Sequence, residues 1–209
     1  LLYSLPISTA QIVAGKFLAV FLTSVIPVCI VTVYPLILKN FGNLYLPTSF
    51  GALFGYVLLG GALLSMGIFI SSITESQPMA AGICFAVMAV NYYMVTLAEY
   101  AVSSAYGSFV ALVVIEIVIS LLIHHMTRNG ILSRGFGILT IAVTFGLYLF
   151  HGDWFEGLFP LILENISVYE RFYGFVDGIF DYTSVVYFIS VIIFFLFLTV
   201  QSLEKRRYN

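Results

Sequence analysis

From Phe17 to Leu38 the chain reads FLAVFLTSVIPVCIVTVYPLIL, bounded by Lys16 and Lys39 and carrying no charge between them. A helix that crosses a bilayer needs about 20 mostly apolar residues, and this run supplies them. Similar runs cover about 50–70, 79–98, 107–123, 136–150 and 184–200. Polar or Gly/Pro-bearing breaks separate them, among them KNFGNLYLPTS, SSITESQP and HHMTRNGILSRG. Only 9% of the residues are charged and 61% are hydrophobic, for a mean hydropathy of +1.08. A water-soluble surface uses about 25% charged residues. The expected fold is therefore an all-α membrane protein: a polytopic helical bundle of about six transmembrane helices, forming a single transmembrane domain over 1–209.

Charge placement predicts the orientation. With the N-terminal end inside, Lys16, Arg128, Arg134, Lys205, Arg206 and Arg207 fall on the cytoplasmic side, and only Lys39 and Arg171 fall outside. Asp153, Glu156, Glu164, Glu170, Asp177 and Asp181 gather in the outer segment. The expected location is the plasma membrane, with both chain ends cytoplasmic. Aromatic residues cluster at the predicted interfaces, including Tyr92, Tyr93, Tyr100, Trp154, Tyr182 and Tyr187.

The stretch of about 153–181 reads as neither a span nor an ordinary loop. Val168, Phe172, Phe175, Val176, Ile179 and Phe180 recur at helical spacing, with Glu170, Arg171, Asp177 and Asp181 between them. That pattern predicts an amphipathic helix on, or dipping into, the outer leaflet. DWFEGLFPLILE before it is apolar but too short to cross, which fits a re-entrant or interfacial piece.

The chemistry-bearing residues are few. No Gly-rich loop followed by Lys-Ser/Thr is present, and no His-Glu-x-x-His. No basic cluster is large enough for a nucleic-acid face. His124 and His125 are adjacent on a helix and so point about 100° apart, which suits interfacial residues better than a metal chelate. Cys29 and Cys84 sit inside apolar runs and read as packing residues. Asn165-Ile166-Ser167 matches a glycosylation pattern that arises often by chance. Glu116, in the middle of FVALVVIEIVISLLI, is the intramembrane polar candidate. A carboxylate there needs a partner or water. It reads as an interhelical hydrogen bond or, alternatively, as a proton relay or substrate contact. Gly51, Gly55, Gly61 and Ser65, with Gly60 and Gly67, put small residues at spacings that let helices approach closely, so they predict a helix-packing face rather than a pore lining. Pro27 and Pro35 predict kinks in the first span.

Three segments resemble permease subunits of ABC transporters of the ABC-2 type. LLYSLPISTAQIVAGKFLA is similar to the segment after the family's cytoplasmic coupling helix. GIFISSITESQPMAA is similar to its next cytoplasmic turn, with Ile70–Thr74 and Gln77 in register. SVYERFYGFVDGIFDYTSVVYFISVIIFFLFLTVQSLEKRR resembles the ending of the branch related to gliding-motility and nitrous-oxide-accessory permeases. Its matching residues include Arg171, Phe172, Gly178, Asp181, Tyr187, Ser190, Glu204 and Arg206. The resemblance covers about residues 1–100 and 165–207.

The resemblance implies a permease that is not itself an enzyme. It would bind no cofactor, with ATP and Mg on a separate ATPase subunit, and it would pair with a second permease subunit in the lipid bilayer and work as an exporter. It also implies a helix pair and a docking helix before Leu1, with Leu1–Thr9 as the trailing edge of that helix. On that expectation 1–209 inserts in a membrane but captures little ATPase. Two other readings remain at this stage. An ion-coupled secondary transporter would use Glu116, and an intramembrane enzyme would need a convergent catalytic set.

Overall fold

The structure is a computed structural model that describes the backbone of residues 8–127 and 130–208 and the side chains of 8–121 and 135–205. Within those residues every regular element is helical: α1 Thr9–Val31, α2 Val33–Leu38, α3 Leu46–Ile73, α4 Gln77–Tyr100, α5 Ala105–Thr127, α6 Gly130–Phe150, α7 Leu158–Ile166, α8 Val168–Val176 and α9 Tyr182–Tyr208. A short 3-10 turn, Gly152–Phe155, precedes α7.

Four stretches are long and apolar enough to cross a membrane: Thr9–Leu38, Leu46–Ile73, Gln77–Tyr100 and Tyr182–Lys205. The remaining two expected spans look different. Ala105–Leu121 is a shorter apolar helix, and Gly135–Phe150 with Gly152–Ile166 forms a pair bent by 116°. Among the described residues, four helices have the length and composition of a membrane span, or five if the bent pair counts as one. The chain turns after Phe150 through the 3-10 residues and Gly157, whose φ of +71° is open to glycine at little cost.

The helix ends follow local chemistry. Ser8 caps α1 reciprocally: its Oγ accepts from the Gln11 amide at 3.3 Å, while Gln11 Oε1 accepts from the Ser8 amide at 3.0 Å. This box starts the helix well before the apolar run. Pro27 is carried inside α1. The break falls at Thr32, because Pro35 has no amide hydrogen to give the Val31 carbonyl four residues back.

The expected single domain divides by its contacts into two compact units, Leu1–Tyr92 with Val168–Asn209, and Tyr93–Ser167. In the first unit α3 is central and packs on α1, α8 and α9. Its core holds Leu59, Ala62 and Met66 of α3, Val168 and Phe175 of α8, and Phe188 of α9. Buried hydroxyls turn back onto their own helices, Ser65 to the Ala62 carbonyl and Thr199 to the Phe195 carbonyl, both at 2.7 Å. Neither hydroxyl then needs water. In the second unit α5 packs on α6, α7 and the 3-10 turn. Phe109 stacks on Tyr148 at 4.6 Å, and buried Phe155 meets both rings edge-on. The Gly157 amide donates to the Ser103 carbonyl at 2.7 Å, and the Phe159 amide to Ser108 Oγ at 3.4 Å, which ties α7 back to α5.

The single amphipathic helix expected toward Phe180 is shorter than its apolar pattern. α8 ends at Val176, and Gly178 at φ +81° closes it. The Ile179 amide bonds the Gly174 carbonyl at 2.9 Å and the Gly178 amide bonds the Phe175 carbonyl at 3.2 Å, the paired bonds of a Schellman end. Ile179 and Phe180 therefore lie beyond the helix, and Phe180 packs its ring on Phe54, Phe175 and Tyr182. A Cβ at residue 178 would also sit 3.1 Å from Thr48 Oγ1. Gly178→Ala combines left-handed strain with that contact. It is expected to cost about 1–2 kcal/mol, read as a lower thermal midpoint in detergent, with Gly174→Ala as the control because a Cβ there meets nothing within 4 Å.

Candidate functional site

The residues that carry the C-terminal resemblance fall mostly on one corner of the first unit, α8 and its turn into α9. Arg171 places its guanidinium carbon 5.7 Å from the centroid of the Tyr187 ring, a cation–π distance. Phe172 meets Tyr56 of α3 edge-on at 6.4 Å. Gly178 makes the turn. Asp181 caps α9, accepting from the Thr183 amide at 2.9 Å and from Ser184 Oγ at 3.4 Å. Those donors, Thr183 first, hold its carboxyl below the ordinary aspartate value. The cap's contribution is therefore present above the unfolded-state pKa and fades as pH falls through the lower folded-state one. Ser190 is elsewhere, exposed on α9 and bonded to the Val186 carbonyl at 2.7 Å, and Glu204 lies near the end of that helix. The side chains of Arg206, His124 and His125 lie outside the described residues.

A group of phenols joins this corner. Tyr92 of α4 meets Tyr169 of α8 edge-on at 5.2 Å, and Asn91 Oδ1 accepts from the Val168 amide at 3.0 Å, which caps the start of α8. Burial raises the Tyr169 phenol above its ordinary value, with smaller upward pushes from Tyr173, Tyr92 and Tyr56. Tyr173 is raised by burial and by Tyr92, with which it shares a hydrogen bond. A phenolic hydroxyl donates as well as accepts, so the group can offer hydrogen-bond donors. In the sequence Tyr92 is legible as an interfacial aromatic. The convergence of Tyr56, Tyr92, Tyr169 and Tyr173 from three helices has no sequence signal.

The small residues of α3 divide between packing and open space. A Cβ at Gly55 would lie 2.7 Å from Phe175 Cγ, and one at Gly61 would lie 3.1 Å from both Ile192 Cδ1 and Phe21 Cε2. Ser65 is fully buried. Gly51 departs from the expected packing role: nothing lies within 4 Å of its added Cβ, and it lines a recess of about 310 Å³ with Thr48, Phe175 and Gly178. The rings of Phe175 and Phe180 border that recess without reaching Gly51.

Glu116 sits in the second unit on the α5–α6 seam. Thr144 Oγ1 donates to its Oε1 at 2.5 Å, while Oε2 is buried without a hydrogen-bond partner among the described residues. The seam is close because Gly137 faces Ser120, where an added Cβ would come 2.7 Å from Ser120 Oγ. The Thr144 hydroxyl is the partner that a search for intramembrane bases overlooks. Glu116→Gln keeps the acceptor and is expected to leave stability and activity near normal. Thr144→Val removes the donor and should cost on the order of 0.6–1.7 kcal/mol, the range of interhelical bonds in membranes. Thermal midpoints of the two variants check this, and a Gln variant that folds but has lost activity would assign Glu116 a charge-dependent role.

No metal-holding group of three or more His, Cys, Asp or Glu is present among the described residues. No family model matches the chain, and no curated protein or solved structure is significantly similar to it.

Proposed function

We propose that the chain is the membrane-spanning permease subunit of an ATP-driven transporter of the ABC-2 type, an exporter in the plasma membrane. It would act with a second permease subunit and separate ATPase subunits that bind ATP and Mg. The observation that carries this reading is the α8–α9 corner. The residues that match the family ending, Arg171, Phe172, Gly178, Asp181 and Tyr187, have defined jobs there in building one structural feature. That feature fixes the last long helix against the central α3, so a push on the α9 end or on the α3–α4 turn at Glu75 would move α3, α8 and α9 as one packed body. α4 fits the same logic. It meets that body through Cys84 and Met88 near Gly67, and through Asn91 and Tyr92 against α8.

Expression of the full-length protein with an ATPase encoded beside it tests the reading. The pair should co-purify, and substrate movement into or out of vesicles should require ATP. Single-Cys labelling tests the orientation: Asn43 should react from outside and Glu75 from the cytoplasm, both being exposed at helix junctions. Reaction of Asn43 from the cytoplasm alone overturns it.

The Oε2 of Glu116, buried with no partner among the described residues, favours a second reading, an ion-coupled transporter that loads a proton or cation at this oxygen. Transport that follows a proton gradient and persists without ATP, and that is lost in Glu116→Gln, distinguishes it.

A further inference from the structure

The first unit contains a cavity of about 560 Å³ between α1 and α3, with Met88 of α4 lying across it. Its walls are Val25, Val28 and Val31 on one side and Leu53, Val57 and Leu64 on the other. Two lining side chains are polar. Ser24 spends its hydroxyl on the Phe21 carbonyl at 2.7 Å, which leaves Tyr56 as the free polar handle. Gly60 opens the wall, since an added Cβ there meets nothing within 4 Å. Apart from the Tyr56 hydroxyl, a polar solute or an ion would find little to pair with along such walls.

The cavity has a direction. Its α3 wall from Leu53 to Leu64 spans about 16 Å at 1.5 Å per residue, close to half of a ~30 Å hydrocarbon core. Tyr56 stands toward the Leu53 end, beside Phe172 and in electrostatic reach of Tyr169. Tyr92 and Tyr173 complete the phenol group at that end. An apolar slot one leaflet deep thus leads to a cluster of hydroxyl donors, matching the polarity of one lipid chain below its ester and headgroup oxygens.

We propose that this slot is a specific binding site for one acyl chain of a membrane phospholipid, whose headgroup-proximal oxygens accept hydrogen bonds from the tyrosine cluster. The site extends the transporter reading by assigning this chain an amphiphile ligand. It rests on the membrane placement of α1 and α3 and not on the partner ATPase, so failure of either inference leaves the other standing.

The test uses the full-length protein in nanodiscs with a lysophosphatidylcholine that carries a photoreactive diazirine on its stearoyl chain. Crosslinks mapped by mass spectrometry should concentrate in 24–31 and 53–64 and saturate with probe. Unlabelled lysophosphatidylcholine should compete. Gly60→Leu and, from the opposite wall, Met88→Trp each fill the slot and should abolish the saturable part of the labelling, since the chain then loses its contacts there and the bilayer is equally apolar. Tyr56→Phe should weaken this probe severalfold and leave a diazirine alkane without a headgroup unchanged. Unsaturable labelling spread along the exposed faces of α4 and α9 would overturn the proposal, as would labelling indifferent to both slot-filling variants. So would a Cys at Val57 that crosslinks to a second copy of the chain, which would show another helix in the slot.

Discussion

Phe175→Ala is expected to destabilise the first unit by about 3 kcal/mol and to lower its thermal midpoint in detergent by several degrees. Phe175 is 1% exposed and holds three elements at once. Its ring meets Phe54 edge-on at 6.3 Å, Phe180 edge-on at 5.6 Å and Phe188 at 6.4 Å, and its base lies over Gly55. Removing the ring leaves a void bounded by α3, α8 and α9. The figure sits at the low end of the usual Phe→Ala range because lipid is as apolar as the ring. Helix association there gains little from transfer out of water, and what is lost is chiefly contact. Phe172→Ala is the comparison: that side chain is half-buried and should cost less. Size-exclusion profiles against temperature read both variants, and an unchanged midpoint for Phe175→Ala would remove α8 from the core.

The long helices were legible in the sequence because the bilayer makes them so. Runs at about 17–38, 50–70, 79–98 and 184–200 lie inside Thr9–Leu38, Leu46–Ile73, Gln77–Tyr100 and Tyr182–Lys205. A charge-free run reports the membrane slab, while the helix continues to its caps. Ser8 with Gln11 three residues on is a capping box that marks the true start of α1, and Pro47 marks the first turn of α3. Residues 135–166 were harder to read. Hydropathy counts apolar residues and is blind to direction, so a chain that turns by 116° after Phe150 looks like a short span followed by a short apolar piece. The apolar spacing from Val168 to Phe180 likewise continues past the point where Gly178 ends the helix, because Ile179 and Phe180 still pack although they are no longer helical.

The site was legible only in part. Glu116 declares itself, since a carboxylate in an apolar helix is costly. Its partner Thr144 is one of several hydroxyls in α6 that could equally have bonded their own backbone, as Thr140 does to the Gly137 carbonyl. Only the close α5–α6 approach at Gly137 selects Thr144, and that approach is a tertiary fact. The acyl-chain slot is hidden for the same reason. Val, Leu and Gly lining a cavity are the same letters as Val, Leu and Gly facing lipid, and the packing of α1 and α3 decides which they are.

Gly55→Leu is expected to be as damaging as Phe175→Ala singly, and the two together should be less damaging than their sum. At Gly55 a bare Cβ already falls 2.7, 2.8 and 2.9 Å from Phe175 Cγ, Cβ and Cδ2. Those atoms belong to the base of a ring held by Phe54, Phe180 and Phe188, so they cannot swing aside as the end of a flexible chain would. Leucine at 55 must push α8 off α3 at a cost of about 3 kcal/mol, the upper end for overpacked cores. In Phe175→Ala the space opposite residue 55 is empty, and a leucine there fills the void that the first substitution made. The double variant should therefore recover about 1–3 kcal/mol relative to additivity, as contacting pairs do. Gly51→Leu, one turn earlier on α3 and facing the open recess, should be near neutral and couple to nothing. Four thermal midpoints measure the cycle. Strict additivity would mean that Gly55 and Phe175 are not in contact, and the packed body of α3, α8 and α9 would lose its keystone.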